Sequence, residues 1–266
     1  MSNDTIAPPV LVERQDHIMI VTLNRPEARN AVNLEVALRV GEALEEADQD
    51  PDVWVVVVTG AGDKAFCAGA DLKAVARDEA FFPEGKEHWG FAGYVSHYIS
   101  KPTIAAVNGF ALGGGTEIAL SSDLVVAADT AHFGLPEVKR GIIAGAGGAF
   151  RLAAQLPTKI AMELLLTGDP VDAATAQGLG LVNRVVPQDK VLDEALALAE
   201  RITVNAPLSV QASKRIALGI VDGKVASEEA AWRLNEAEIK VLMASEDAKE
   251  GPRAFAEKRA PVWRAR

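Results

Sequence analysis

Apolar residues fall in short unbroken blocks over the first two thirds of the chain and at helical spacing over the last third. The run Ile18-Met19-Ile20-Val21-Thr22-Leu23 predicts a strand from His17 to Leu23, ended at Asn24-Arg25-Pro26 because proline forces the chain out of regular structure. After Arg29-Asn30, apolar Leu34, Ala37, Leu38, Gly41 and Leu44 with acids on the other side predict a helix closing at Asp48-Gln49-Asp50-Pro51. Val53 to Val58 is apolar on both faces and predicts a strand buried on both sides. Further strands are expected at Thr103–Val107, Asp123–Ala128 and, as the last one, Leu181–Val186. Arg77 to His97 reads as half loop and half helix, the helix starting near Glu87; it serves either as a lid or acyl-pocket wall or as a surface hairpin. Short helices are expected from Gly148 to about Leu156, from Thr158 to Leu166, and from an Asp172 cap through Gln177.

From Gln188 onward the pattern predicts helices only, at Val191–Thr203, Leu208–Ile220, Ser227–Ala244 and Asp247–Lys258, with Trp232, Ile239, Leu242 and Met243 on one apolar stripe. The reading is an α/β body, residues 1–195, and a helical region, residues 196–266, packed either on a neighbouring subunit or on its own body.

Composition narrows the field. A net charge of −10 and a pI near 5.0 argue against nucleic acid or an acidic membrane as a partner. One cysteine, Cys67, excludes an intrachain disulfide framework and suits a reducing compartment. With no secretory pattern at the N-terminus and no 18-residue apolar run, a cytoplasmic protein is expected. His17, His88, His97 and His132 lack metal-ligand spacing, so no metal site is expected. The tail from Glu250 carries five basic residues, Arg253, Lys258, Arg259, Arg264 and Arg266, which form either a local phosphate patch or solvating charge.

The candidate chemistry lies between Lys101 and Gly148. In Asn108-Gly109-Phe110-Ala111-Leu112-Gly113-Gly114-Gly115-Thr116-Glu117 three glycines stand where a strand turns into a helix, so a backbone N–H can approach a ligand at a positive dipole end. The segment after Val58 repeats this logic and leads to a helix start at Asp71. There Gly60-x-Gly62-x-x-Ala65 invites a dinucleotide reading, but Phe66-Cys67-Ala68-Gly69-Ala70-Asp71 intervenes before any helix. Two such loops could aim one N–H each at a carbonyl oxygen becoming an oxyanion, or simply be tight turns. Glu117 and Glu137, each beside a glycine-rich segment, could divide acid and base work or be solvated helix-end residues.

These segments in this order resemble the crotonase superfamily, the enoyl-CoA hydratase/isomerase family: Leu23-Asn24-Arg25-Pro26, Ala65-Phe66-Cys67-Ala68-Gly69-Ala70-Asp71-Leu72, Ala106-Val107-Asn108-Gly109 with Gly113-Gly114-Gly115-Thr116-Glu117, Phe133-Gly134-Leu135-Pro136-Glu137, and Ala254-Phe255-Ala256-Glu257-Lys258-Arg259. The resemblance implies an α/β fold, a crotonase-like spiral of ββα units, with a C-terminal helical trimerisation region giving a homotrimer or hexamer. It implies an acyl-CoA substrate and no separate cofactor, since coenzyme A is part of the substrate. The backbone N–H groups of Ala70 and Gly114 would form the oxyanion hole, with Gly113 and Asp71 beside them. Backbone around Ala68 and Leu72 would hold the adenine, Arg29 would flank the CoA, and Phe255 and Lys258 match positions that reach the CoA of a neighbouring subunit. Both glutamates together imply a hydratase, with Glu117 as base for water addition and Glu137 protonating the α-carbon. Alternatives are a crotonobetainyl-CoA hydratase, a Δ3-Δ2-enoyl-CoA isomerase, and a non-catalytic acyl-CoA-binding oligomer. Ala144, where the family commonly has proline, and Glu27, where many hydratases have lysine, depart from the pattern.

Overall fold

In the computed structural model, which describes residues 7–71, 73–74, 77 and 79–266, the apolar blocks become the centre of a six-stranded sheet. Its strands are β1 (Val10–Gln15), β2 (Ile18–Leu23), β3 (Val55–Gly60), β5 (Thr103–Val107), β7 (Leu124–Ala128) and β10 (Arg184–Val186), in the order β1-β2-β3-β5-β7-β10. β1 and β2 form an antiparallel hairpin; the other neighbours pair in parallel, Ile18 opposite Val55 and Ile104 opposite Leu124. Every residue of β3 and β5 is buried, as strands covered on both faces must be. On this sheet lie α1 (Leu34–Gln49), capped by the Asn33 side chain, which accepts from the Val36 N–H, and α6 (Val191–Thr203), which buries Val191, Ala195 and Ala199.

A second sheet has β4 (Ala65–Cys67), β6 (Phe110–Leu112), β8 (His132–Gly134) and β9 (Val171–Asp172), in that order. The chain crosses from β3 to β4, from β5 to β6 and from β7 to β8, and the last two crossings lead into α2 (Gly114–Ser121) and, through a 3-10 turn at Pro136–Arg140, α3 (Gly148–Gln155). This is a spiral of ββα units. A smaller core of Leu120, Leu135, Ala144, Leu152, Leu156 and Ala161 joins α2, α3 and α4 (Thr158–Thr167). α5 (Ala173–Gly178) starts at Asp172, whose side chain accepts from the Thr175 N–H.

Four expectations are corrected. The helix expected from Glu87 is two 3-10 turns, Glu87–Trp89 and Phe91–Gly93, because Gly90 and Gly93 take φ of +70° and +66°. The final strand starts only at Arg184, and it is not the last. After α7 (Pro207–Leu218) comes a hairpin of β11 (Ile220–Val221) and β12 (Lys224–Val225), turned by Asp222-Gly223 with φ of +48° and +71°. On α8 (Glu229–Met243) Met243 is exposed, off the inward stripe of Trp232, Ile239 and Leu242. The basic tail around α9 (Glu246–Ala256) is largely internally paired: Arg259 bridges Glu250 and Glu257, Arg253 the same two acids, and Arg266 Glu246. The first of these pairs and a bond from the Val262 N–H hold the Glu250 carboxyl at about 2.

Asn30 ties the β2 end to the β4 entry. Its Nδ2 donates to the carbonyls of Ala61 (2.9 Å) and Ala65 (2.8 Å), and its Oδ1 accepts from the Arg25 N–H at 3.0 Å. Asn30→Ala leaves those groups unpaired and puts alanine at a φ of +55°, so urea denaturation is expected to show a loss of about 3 kcal/mol with an unchanged m-value. A loss under about 0.5 kcal/mol contradicts the role given to Asn30.

Candidate active site

Three turns meet on one cleft of about 2240 Å³. The first follows β4. The Val32 N–H donates to the Gly69 carbonyl and the Asp71 N–H to the Val32 carbonyl, both at 2.8 Å, which leaves the Ala70 N–H without a backbone acceptor among the described residues. Arg25 pins this turn, its guanidinium donating to Asp71 Oδ2 (2.8 Å) and to the Ala31 carbonyl (2.6 Å). Burial works against the charge on Asp71, but the bonds from Arg25 and from the Lys73 N–H hold its carboxyl below the usual range.

The second turn joins β6 to α2. Gly113 has φ +56° and ψ −123°, a conformation open to glycine, and the N–H of Gly114 at the helix start has no backbone acceptor among the described residues. A Cβ on Gly69 would stand 3.2 Å from the Gly114 nitrogen, so the first two turns are in contact. A Cβ on Gly115 would stand 2.0 Å from the Cys67 carbonyl, and one on Gly114 would stand 2.2 Å from the Phe91 ring. The aromatic segment therefore contributes a wall here, with Trp89 and Tyr94 buried as its anchors. Cys67 itself is fully buried, which pushes its thiol up to about 12, unfit for a nucleophile.

The third turn, after β8, carries Glu137 in the 3-10 segment and leads towards Gly145–Gly148. Glu117, on the first turn of α2, is 3% exposed, and its Oε1 accepts from the Gly148 N–H at 2.9 Å. Glu137 Oε2 is buried with no hydrogen-bond partner among the described residues, and its Oε1 would lie 2.8 Å from a Cβ on Gly113. Burial, and secondarily the nearby Glu137, raises the Glu117 carboxyl to about 8; burial raises Glu137 to about 7. Near neutral pH the pair thus holds about one proton between them.

Of the residues singled out from sequence, Glu117, Glu137, Ala70, Gly114, Gly113, Ala68, Asp71, Arg29 and Phe255 all line this cleft. Leu72 lies outside the described residues. Lys258, at φ +54° beyond α9, is not part of the lining. Phe255 stacks under the Arg140 guanidinium of its own chain, 4.1 Å from the ring centroid. Ala144 is buried beside Gly148 and Glu117. Sequence reasoning placed Phe91 in a segment that could wall an acyl pocket but missed Arg25 and Arg151 as parts of the site. Arg25 had a signal as the middle residue of the Asn24-Arg25-Pro26 turn; Arg151 had none that pointed to its partner Glu228.

Two acids of raised proton affinity and two main-chain N–H groups without backbone acceptors among the described residues, on one cleft, are the parts of an acid–base enzyme acting on a carbonyl compound. The family model for enoyl-CoA hydratase/isomerase matches residues 13–266, and the chain belongs to that family. A carnitinyl-CoA dehydratase of Citrobacter koseri is 43% identical over 261 residues, covering 95% of this chain and 97% of that protein. An enoyl-CoA hydratase of Mycobacterium tuberculosis is 42% identical over 268 residues, covering 97% of each. Among solved structures, a carnitinyl-CoA hydratase from Mycobacterium avium is 62% identical with a TM-score of 0.96, over 97% of this chain and 99% of that one.

A carboxyl whose proton affinity rises on folding stabilises the fold at low pH and loses that contribution as the pH climbs. Between about pH 4.5 and pH 8 the unfolded chain releases the Glu117 proton while the folded chain keeps it, so stability falls with pH across this window. Glu117→Gln removes the titration. Its stability relative to the parent is expected to be lower by a few kcal/mol at pH 4.5 than at pH 8.5, in order of magnitude, by chemical denaturation. A pH-independent difference rules out the raised affinity.

Proposed function

We propose that the chain hydrates 2-enoyl-CoA thioesters to 3-hydroxyacyl-CoA. The observation that carries this is the pairing of Glu117, buried, and Glu137, half-buried with its Oε2 enclosed, both with raised proton affinity, on a cleft that Ala70 and Gly114 also line. The thioester oxygen would accept from those two N–H groups and take up charge as water adds to the β-carbon. Loss of one such donor typically costs about 3 kcal/mol of transition-state stabilisation. The reactive arrangement has the shared proton on Glu137: Glu117, then ionised, draws a proton from water, and Glu137 delivers one to the α-carbon. A pair sharing one proton near neutrality suits that division. Family membership and relatives named enoyl-CoA hydratase support an acyl-CoA substrate.

On this reading coenzyme A is a handle on the substrate, with Arg29, Ala68, Asp71 and Phe255 along its path, and chain atoms supply both proton transfers. A second reading, a hydratase of a crotonobetainyl thioester, is favoured by relatives named for carnitinyl-CoA. The exposed apolar residues Val204, Leu208, Ile216, Leu234 and Val241 around α7 and α8 support assembly through the helical region, as a homotrimer or a hexamer. Among the described residues no helix is long and apolar enough to cross a membrane.

Crotonyl-CoA and longer 2-enoyl-CoAs should lose their conjugated-thioester absorbance with this protein. Glu137→Gln is expected to lower kcat by roughly 10²- to 10⁴-fold with acetoacetyl-CoA affinity retained. The ratio of kcat/KM for crotonyl-CoA and for its 4-trimethylammonio derivative separates the two readings. Failure to hydrate any member of the series overturns both.

A further inference from the structure

One buried charged group in the cleft has no part in the steps above. Arg151, on the first turn of α3, is 8% exposed, and its guanidinium forms a two-pronged ion pair with Glu228 just before α8: Nε to Oε1 at 2.9 Å and Nη2 to Oε2 at 2.7 Å. Trp232 Nε1 donates to the same carboxylate at 3.3 Å, and the Trp232 ring meets Phe150 edge-on at 4.9 Å. The third nitrogen, Nη1, is buried without a hydrogen-bond partner among the described residues. It lies against the turn that holds Glu117: a Cβ on Gly147, at φ +97°, would stand 3.1 Å from Nη1 and 3.2 Å from Trp232. At the next residue a Cβ on Gly148 would stand 2.8 Å from Glu117 Cγ. α8 grips the turn at a second point, where Asn235 Nδ2 donates to the Gly145 carbonyl at 2.8 Å. The Glu117 side chain and the Arg151–Glu228 pair thus bear on adjacent residues of one turn.

We propose that Arg151, locked by Glu228, is a positioning residue for Glu117: the pair braces the Gly145–Gly148 turn so that the Gly148 N–H stays on the Glu117 carboxylate. The inference rests on the hydratase reading for its kinetic consequences, while the brace is a property of the folded chain whatever the substrate. An ion pair that served only to anchor α8 would gain nothing from the position of its charge, and apolar groups could do the same work with less desolvation. Here the cation stands within electrostatic reach of Glu117 and opposes the effect of burial on it. The charged groups around Glu117 are Glu137 on the 3-10 turn, Arg151 on α3 and, behind Arg151, Glu228 before α8.

The test uses the full-length chain carrying Glu228→Gln, Arg151→Lys or Arg151→Met, read by hydrogen exchange and by kinetics. Exchange at 142–150 is expected to quicken about tenfold in Glu228→Gln and Arg151→Met, with α6 unchanged. With crotonyl-CoA, kcat should fall about 10- to 100-fold while KM stays within about twofold. Arg151→Met removes a cation that lowers the proton affinity of Glu117, so the rising limb of the kcat–pH profile should move to higher pH. Arg151→Lys keeps the charge and should hold that limb in place. Unchanged exchange with an unmoved limb in folded variants overturns the proposal, as does a loss confined to melting temperature. Should Arg151→Met fail to fold, the near-isosteric Glu228→Gln decides by the same exchange and kcat readouts. A parent protein that hydrates no enoyl-CoA overturns the hydratase reading instead, and exchange at 142–150 then decides the brace alone.

Discussion

The closeness of α2 to the end of β4 governs the geometry of everything around it. Gly115 lies where a Cβ would stand 2.0 Å from the Cys67 carbonyl, so no side chain separates the turn after β4 from the turn before α2. With the two backbones in contact, Ala70 and Gly114 line the same cleft, and no backbone hydrogen bond among the described residues uses their N–H groups. Arg25 and Asn30 hold the first turn from outside; Thr116, whose hydroxyl donates to the Ala111 carbonyl (2.7 Å) and accepts from the Gly134 N–H (3.0 Å), holds the second from within. The sheets supply rigidity, and the glycines let rigid parts approach.

The same closeness explains the behaviour of the acids. Glu117 projects from a helix whose first seven residues are all buried, and its Oε1 accepts from the Gly148 N–H. A carboxylate in that setting lacks the solvation it has in water, and a second acid nearby adds repulsion, so both carboxyls hold protons more tightly than usual. The fold gives up stability at neutral and alkaline pH to keep them there. Strain of this kind is expected where chemistry rather than packing dictates the residue.

The parts of the fold legible in sequence were those whose pattern is long enough to repeat. β3, β5 and β7 are apolar on both faces, and α6 ran where its spacing placed it. Three-residue strands such as β4, β6 and β8 are too short for any alternation to show, so the second sheet was invisible except through the family resemblance. The hairpin after α7 did carry a signal, Asp222-Gly223, which the surrounding helical composition masked. At the site, Glu117 and Glu137 were legible because acids beside glycine clusters are conspicuous. Arg151 was not, since its partner Glu228 is 77 residues away. The tail stayed open between a phosphate patch and solvating charge because nine positions separate Arg259 from Glu250, and sequence alone does not show that the chain folds back to pair them.

Phe255 rests under Arg140 of its own chain, three residues from Glu137, and Gly251 is pressed against the Arg140 carbonyl, where a Cβ would stand 1.8 Å from the oxygen. The last helix thus roofs the cleft of the polypeptide it belongs to. Any shift in the seating of that helix on Arg140 would therefore be felt beside Glu137, so the tail and the acid it overlies move as one mechanical unit.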